Sequence, residues 1–405
     1  MNTTMTKSQP VKKQLKIANR SAAEIVAIAG GTPCYVYDSQ VIANKAKLLK
    51  ALLPENIHLH YAIKANPFAP LVTQMVKWVD GFDVASHSEL LLALSSGMPS
   101  HKISIAGPGK SNDDLVTAVV SGATINVESV RELERIYVIC EKYQCKGNVS
   151  LRINPDFELK NSGMKMSGGA KPFGIDAELA PHILSTLNLA LVNFKGLHIF
   201  TGSQNLNHHS IIEAHNKTFS LAERILRESG VKASQINIGG GFGIPYFSNE
   251  KSLQLEPIME NLAILMAKYH GELSFPDIHI ELGRYLVGEC GTYLSTIVDK
   301  KQSRDKTYLV TDGGMHHHLA NSGNFGQVIR KNYPVLIASN MNDSDTELVD
   351  VVGPLCTPLD ILASNIELPI ADVGDLFAVQ QSGAYGASAS PHRFLSQPEV
   401  REIIL

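Results

Sequence analysis

The sequence predicts an α/β fold: a (β/α)8, TIM-like barrel followed by a C-terminal β-domain that an N-terminal strand completes. Three observations carry this. Eight short β-rich runs alternate with helix-patterned segments between His58 and Leu282. Polar or charged residues follow those runs, where a parallel barrel gathers its loops on one face. Beyond about residue 284 helical periodicity fades, and strand-like runs are joined by Gly, Pro, Asn and Asp turns. A doubly wound open sheet is the competing arrangement; the eightfold count and the placement of the polar residues favour the barrel.

Residues 1–14 read as a polar arm. A helix over 21–29 ends at Gly30-Gly31, a strand follows at Pro33–Tyr37, and a helix over 39–53 stops before Pro54. The barrel runs are His58–Ala65, Gly81–Ser86, Ile103–Gly107, Thr124–Glu128, Val149–Asn154, Lys195–Phe200, Gln235–Gly239 and Ile278–Leu282. Helical spacing fills most gaps: Ala69–Val79, Ser88–Ser96, Asp113–Gly122, Val130–Tyr143, Glu178–Leu187, Ile211–Gly230 and Pro257–His270. Strands are then expected at Thr292–Val298, Tyr308–Thr311, Leu348–Val352 and Leu376–Val379. The domains are read as 1–37 (arm and strand joining the β-domain), 38–284 (barrel) and 285–405 (β-domain).

A chain of 405 residues, 44% hydrophobic and 19% charged, has room for two domains and a sizeable core. A net charge of −3 leaves no large basic field for nucleic acid or an anionic membrane. Cys34, Cys140, Cys145, Cys290 and Cys356 are irregularly spaced and lack a second pair at zinc-ribbon distance. A reduced, cytoplasmic setting fits them. The N-terminus has no apolar core of a signal peptide, and no apolar run is long enough to span a bilayer.

The strand ends supply the chemistry. Lys64 lies in Tyr61-Ala62-Ile63-Lys64-Ala65-Asn66-Pro67, after an apolar strand. A lysine there needs a paired charge or a lowered pKa, which suits an amine that forms Schiff bases; the plain alternative is a lysine that snorkels out of the strand end. Gly239-Gly240-Gly241-Phe242-Gly243 follows the seventh run, where barrels often close backbone N–H groups on a phosphate; a glycine run alone is a weak signal. Arg284 is placed to clamp the same phosphate, and Glu281 to hold a proton on a pyridine nitrogen. For any one of these residues, pairing within the barrel mouth is as good an account; their joint occurrence at one face is harder to dismiss. Met315-His316-His317-His318 invites a metal reading. Adjacent residues on a strand face opposite ways, so a polar loop or pocket wall is the better account and no metal is expected.

In this order the motifs resemble the fold-type III pyridoxal phosphate-dependent decarboxylases: the diaminopimelate, ornithine and arginine decarboxylases of the alanine racemase-like fold. The resemblance runs from Thr32-Pro33-Cys34-Tyr35-Val36-Tyr37-Asp38 to Phe394. It rests on Tyr-Ala-Ile-Lys-Ala-Asn, Gly239–Gly243, Glu281-Leu282-Gly283-Arg284-Tyr285, Gly353-Pro354-Leu355-Cys356 and Gly383-Ala384-Tyr385-Gly386. It implies pyridoxal 5'-phosphate as cofactor, held as a Schiff base by Lys64. It implies that Glu281 pairs with the pyridine nitrogen, and that Ser203, Gly239, Gly240, Gly241, Gly243, Arg284 and Tyr385 hold the phosphate. It places Asp83, Ser86 and Glu128 near the cofactor. Cys356 would protonate the product carbanion from the partner subunit of a homodimer.

Three departures matter. The family's ring-stacking histidine is Phe200 here, with His198 nearby to compensate. After Cys356 stand Thr357-Pro358, where diaminopimelate decarboxylases have Glu-Ser and ornithine decarboxylases an Asp. The substrate-binding arginine and tyrosine after Asp312-Gly313-Gly314-Met315 are replaced by His316–Phe325. The histidine run, Gly107-Pro108-Gly109-Lys110, Gly163-Met164-Lys165-Met166 and Cys356-Thr357-Pro358 are most similar to a branch acting in secondary metabolism. That branch includes glutamyl-acyl-carrier-protein, exosortase-associated and siderophore-pathway decarboxylases. The resemblance therefore implies removal of the α-carboxylate from a free amino acid or a carrier-bound aminoacyl group. Diaminopimelate decarboxylation is the alternative. A racemase would need two opposed bases, and a non-enzymatic cofactor-binding protein on a related fold would be a single barrel without Cys356 and Tyr385.

Overall fold

The computed structural model describes residues 13–158, 164–165, 168–247, 249–273, 277–323, 325, 330–341 and 345–405. Most of the N-terminal arm, Gly163 and Met166 of one branch motif, and Asn324 lie outside the described residues. The chain divides into two compact units, one of Ser39–Glu289 and one joining the residues up to Asp38 with Cys290–Leu405.

The first unit is a closed parallel barrel. Its strands are β1 (Ile57–Ala62), β2 (Gly81–Val84), β3 (Ile103–Ile105), β4 (Thr124–Val127), β5 (Gly147–Asn154), β6 (Val192–Ile199), β7 (Gln235–Gly240) and β8 (Asp277–Leu282). Each pairs with the next, and β8 pairs back onto β1 with Ile278 opposite Ile57 and Leu282 opposite Tyr61. Alternation, broken by register slips at Phe194/Gly196 and Asn237/Gly240, sorts the side chains. Register puts Leu59, Tyr61, Phe82, Val84, Ile125, Val127, Leu151, Leu197 and Ile280 on one set of faces, all buried. That set forms the core with apolar helix positions such as Leu71, Val72, Leu90, Leu115 and Ile136. The other set is polar: His60, Asp83, Ser104, Asn126, Arg152, His198, Asn237 and Glu281, all buried and brought side by side by the same register. This barrel therefore has a polar interior, part of which is paired, as in Asp83 with Ser104, Arg152 with Glu128 and Glu281 with Asn237.

The helices start where the sequence supplies caps. Ser111 and Asp114 form a capping box at Asn112–Ser121, Ser129 caps Val130–Tyr143, and Gly122 and Gly230 end two helices in the left-handed region.

The second unit is an eight-stranded sheet. Its C-terminal strands are β9 (Gly291–Ser303), β10 (Lys306–Thr311), β11 (Val335–Ile337), β12 (Thr346–Val352), β13 (Ile361–Pro369), β14 (Leu376–Val379) and β15 (Arg401–Ile404). The expected N-terminal strand, Cys34–Tyr37, lies between β9, antiparallel, and β15, parallel. Helix Ala22–Ala29 carries a Ser21/Glu24 capping box and packs Ala22 and Ile25 with Cys34, Val36, Leu294 and Ala378.

The histidine run departs from the expected polar loop or pocket wall. His316, His317 and His318 are 0–2% exposed, among Tyr35, Tyr293 and Tyr333. His318 Nε2 lies 2.8 Å from Ser382 Oγ and His317 Nε2 2.8 Å from Pro398 O. Burial pushes all three down, to about 3 for His316 and His318 and about 4 for His317, so they act as neutral flat rings in the core.

Candidate active site

Lys64 sits just beyond β1. The strand ends at Ala62 and Ile63–Ala65 form a single 3-10 turn, where the sequence reading continued the strand to Ala65. The chain turns early because Tyr61 Oη donates to Asn66 O at 2.9 Å and Asn66 N donates to Ile63 O at 2.9 Å. From this turn Lys64 Nζ reaches Asp83 Oδ2 on β2 at 3.3 Å. Ser104 Oγ on β3 donates to Asp83 Oδ1 at 3.1 Å. The lysine side chain is 40% exposed and its carboxylate partner 1%.

Across the mouth, Glu281 Oε1 on β8 accepts from Asn237 Nδ2 on β7, and His198 Nε2 on β6 stands 3.5 Å from Oε2. Asn237 Oδ1 accepts from Gly239 N at 2.8 Å. One amide therefore couples the carboxylate to the start of the glycine run. Burial works to raise the Glu281 pKa, but His198, Lys64 and Asn237 together hold it well below the usual carboxylate range. Asp83, buried beside that negative charge, is pushed up, and Lys64 only partly offsets the shift.

The loops after β6 and β7 are zipped together. Asn205 N donates to Gly241 O at 2.9 Å and Gly243 N to Asn205 O at 3.0 Å. Gln204 adds bonds to both the N–H and the carbonyl of Ile244. Glycine is required for this approach. A Cβ on Gly239 would stand 2.8 Å from the Phe200 ring, and one on Gly241 would overlap the Gly202 carbonyl; both residues have positive φ, +68° and +86°. Ser203 lies in the same zipped segment, paired with Met164. Arg284 Nη1 donates to Tyr246 Oη at 2.7 Å, and its guanidinium lies 5.5 Å over the Tyr246 ring.

Other expected residues have structural partners. Ser86 Oγ accepts from Glu89 N at 3.3 Å, capping helix His87–Ser95. Glu128 accepts from Arg152 Nη1 (2.7 Å), Gly107 N (2.6 Å) and Gly174 N (3.0 Å). Lys110, 6% exposed, donates through Nζ to Gly107 O, Asn126 O and Glu132 Oε1. The Gly107–Lys110 motif thus braces the loops after β3 and β4. Asn237 and Tyr246 were not singled out from the sequence; an amide on an otherwise apolar strand was the one available signal for Asn237.

In the other unit, Cys356 is exposed in the loop between β12 and β13. Tyr385 has φ +55° and lies 6.3 Å, ring to ring, from Phe325. Arg330 is half-buried, and its Nη2 donates to Ile361 O at 2.7 Å.

The donor set fits the expected cofactor. A buried carboxylate held ionised at the barrel mouth is the partner a protonated pyridine nitrogen needs. Buried His198, whose ring nitrogens complete no hydrogen bond of good geometry, leaves polar capacity beside it. Glycine backbone after β7 suits a phosphate.

Comparison with known proteins agrees. Residues 39–288 match the family described as pyridoxal-dependent decarboxylase, pyridoxal binding domain. The chain is 37% identical over 395 residues, 95% of its length and 92% of the relative's, to the L-glutamyl-[BtrI acyl-carrier protein] decarboxylase of Niallia circulans. It is 28% identical to the 2-[(L-alanin-3-ylcarbamoyl)methyl]-2-hydroxybutanedioate decarboxylase of Staphylococcus aureus, covering 98% of this chain and 97% of that one. The crystal structure of diaminopimelate decarboxylase from Methanocaldococcus jannaschii with L-lysine superposes with a TM-score of 0.87 at 27% identity, covering 97% and 91% of the two chains. The chain belongs to the pyridoxal-dependent decarboxylases.

Proposed function

We propose that this enzyme removes the α-carboxylate of an amino acid whose far end is acidic, neutral or conjugated to a carrier, rather than that of diaminopimelate. One observation carries the reading. The residues after Cys356 are Thr357 and Pro358, and the next carboxylate, Asp360, is 2% exposed and accepts from two backbone N–H groups. A distal ammonium therefore finds no counter-charge on this loop, and an unpaired buried ammonium is costly. The glutamyl-carrier-protein and hydroxybutanedioate-conjugate decarboxylases among the relatives support the same class of substrate.

In this reading Lys64 carries the cofactor and Asp83 holds the lysine in place. Glu281, kept ionised, would hold a proton on the pyridine nitrogen, and Phe200 would take the place of the ring-stacking residue. Ser203, the Gly239–Gly243 backbone, Arg284 and Tyr385 hold the phosphate. When bound, the cofactor supplies an electron sink for the pair left behind as carbon dioxide departs. Cys356, contributed by the second copy in a cytoplasmic homodimer, returns a proton to the α-carbon.

Two measurements test this. On cofactor-saturated enzyme, initial carbon dioxide release should be more efficient with an acidic or carrier-conjugated amino acid than with meso-diaminopimelate. A preference for diaminopimelate above tenfold, about 1.4 kcal/mol in transition-state binding, overturns the substrate reading. Cys356→Ala should bind cofactor but turn over roughly 10²-fold more slowly or release aldehyde by-product. Unchanged rate and product ratio remove Cys356 from its role.

A further inference from the structure

The loop that bears Cys356 is closed at its neck by a single residue. β12 and β13 pair up to Val352 and Ile361, leaving residues 353–360 as the connection. Gly353 N donates to the Asp360 carbonyl at 3.0 Å, which closes the neck. The Asp360 side chain then reaches in two directions. Oδ2 accepts from Leu355 N at 2.8 Å, the residue before the cysteine. Oδ1 accepts from Met315 N at 2.6 Å, at the start of the buried histidine turn.

Two glycines make room for this carboxylate. A Cβ on Gly353 or on Gly314 would overlap an Asp360 carboxylate oxygen, so the Gly353-Pro354-Leu355-Cys356 and Asp312-Gly313-Gly314-Met315 motifs close on it from two sides. The histidine turn is itself fixed: His317 N and His318 N both donate to Gly314 O, and the rings are packed in the core. Cys356 is exposed on a loop that the Asp360 carboxylate ties at Leu355 N, with a local bond from Leu359 N to Thr357 Oγ1. Burial pushes the Asp360 pKa up while the two N–H donors favour its charge.

We propose that Asp360 is a positioning residue that sets the Cys356 thiol by tying its loop to the buried histidine turn. Asp360 touches no substrate in this account. It acts through the Leu355 amide one residue from the thiol, and its role rests on the protonation reading of Cys356 above. Asn at this position keeps one acceptor and sets an N–H₂ against a backbone N–H, so the clamp opens on one side.

The experiment compares Asp360→Asn with wild type and with Cys356→Ala on cofactor-loaded protein. Asp360→Asn is expected to change the iodoacetamide alkylation rate of Cys356 by at least about fivefold and to raise the fraction of aldehyde by-product toward that of Cys356→Ala. That by-product forms when the proton goes to the cofactor's carbon instead of the α-carbon, and water then replaces the nitrogen, which stays on the cofactor. Unchanged alkylation together with an unchanged product fraction overturns the proposal. If Cys356→Ala leaves the products unchanged, the protonation reading fails, and the alkylation rate alone decides the clamp. Wild-type protein gives a readout that needs no variant. The Leu355 and Met315 amides should exchange with solvent at least about tenfold more slowly than the Cys356 amide, and equal rates overturn the clamp.

Discussion

Lys64→Ala protein is expected to lose the cofactor's lysine-linked visible absorbance and to lose turnover by roughly 10³-fold or more. The lysine reaches its position through a turn that Tyr61 and Asn66 stabilise, with its amine 3.3 Å from a nearly inaccessible carboxylate. No other lysine in the described barrel interior is available: Lys110 is committed to three acceptors on the loops after β3 and β4 and in the following helix. Alanine also strands Asp83 beside ionised Glu281, which further favours the protonated form of Asp83. Borohydride reduction followed by peptide mapping reads the result directly. A reduced cofactor adduct still formed on the alanine variant removes Lys64 from the role.

Glu281→Gln is expected to retain cofactor while kcat falls by about 10² to 10³, the loss of about 2.7–4 kcal/mol of transition-state stabilisation. Glutamine keeps the shape and the acceptor for Asn237 but has no charge to hold a proton on the pyridine nitrogen. The sign follows from the shift. Glu281 is held well below the usual carboxylate range, so across ordinary working pH the wild-type group is ionised and its contribution is fully present. It fades only as pH falls toward that lowered pKa. The variant's deficit should therefore be flat from neutral to mildly acidic pH. A kcat within tenfold of wild type, or a deficit that vanishes on acidification to pH about 5, sinks the assignment.

The barrel was legible because eight β-rich runs recur with helical spacing between them; within most strands the faces alternate, as at Leu59 and Tyr61 or Ile125 and Val127, while β6 and β7 slip register at Phe194/Gly196 and Asn237/Gly240. Ends were less legible. The run at His58 overshot to Ala65 because the signal that stops it is a tyrosine side chain bonding five residues ahead, not a glycine or proline. β13 escaped notice because its burial is mixed and Asn365, at φ +49°, interrupts the pattern. In the site, Lys64, Glu281 and the glycine run stood out by position. Asn237 and Tyr246 did not, since their partners Glu281 and Arg284 lie 44 and 38 residues away and only the closed barrel brings them together. The histidine run lies in a turn, as expected, but its burial was not legible, for a general reason. Imidazole counts as polar in a sequence, yet once neutral it packs as a flat ring, and Ser382 and Pro398 are too remote in the chain to announce themselves as partners.

The two units differ in when they can be completed during synthesis. The barrel is one continuous stretch, Ser39–Glu289, so all its pairings are available once that stretch has left the ribosome. The strand Cys34–Tyr37 is made before any of it, yet its neighbours are Gly291–Leu294 and Arg401–Ile404. It must wait through translation of the whole barrel with both edges bare, and an edge of that kind is a template for wrong partners. Its residues Tyr35, Val36 and Tyr37 are fully buried once the sheet closes. Loss of Arg401–Ile404 would leave one edge of this strand bare in the finished sheet as well, which makes it a hazard for solubility before it is one for catalysis.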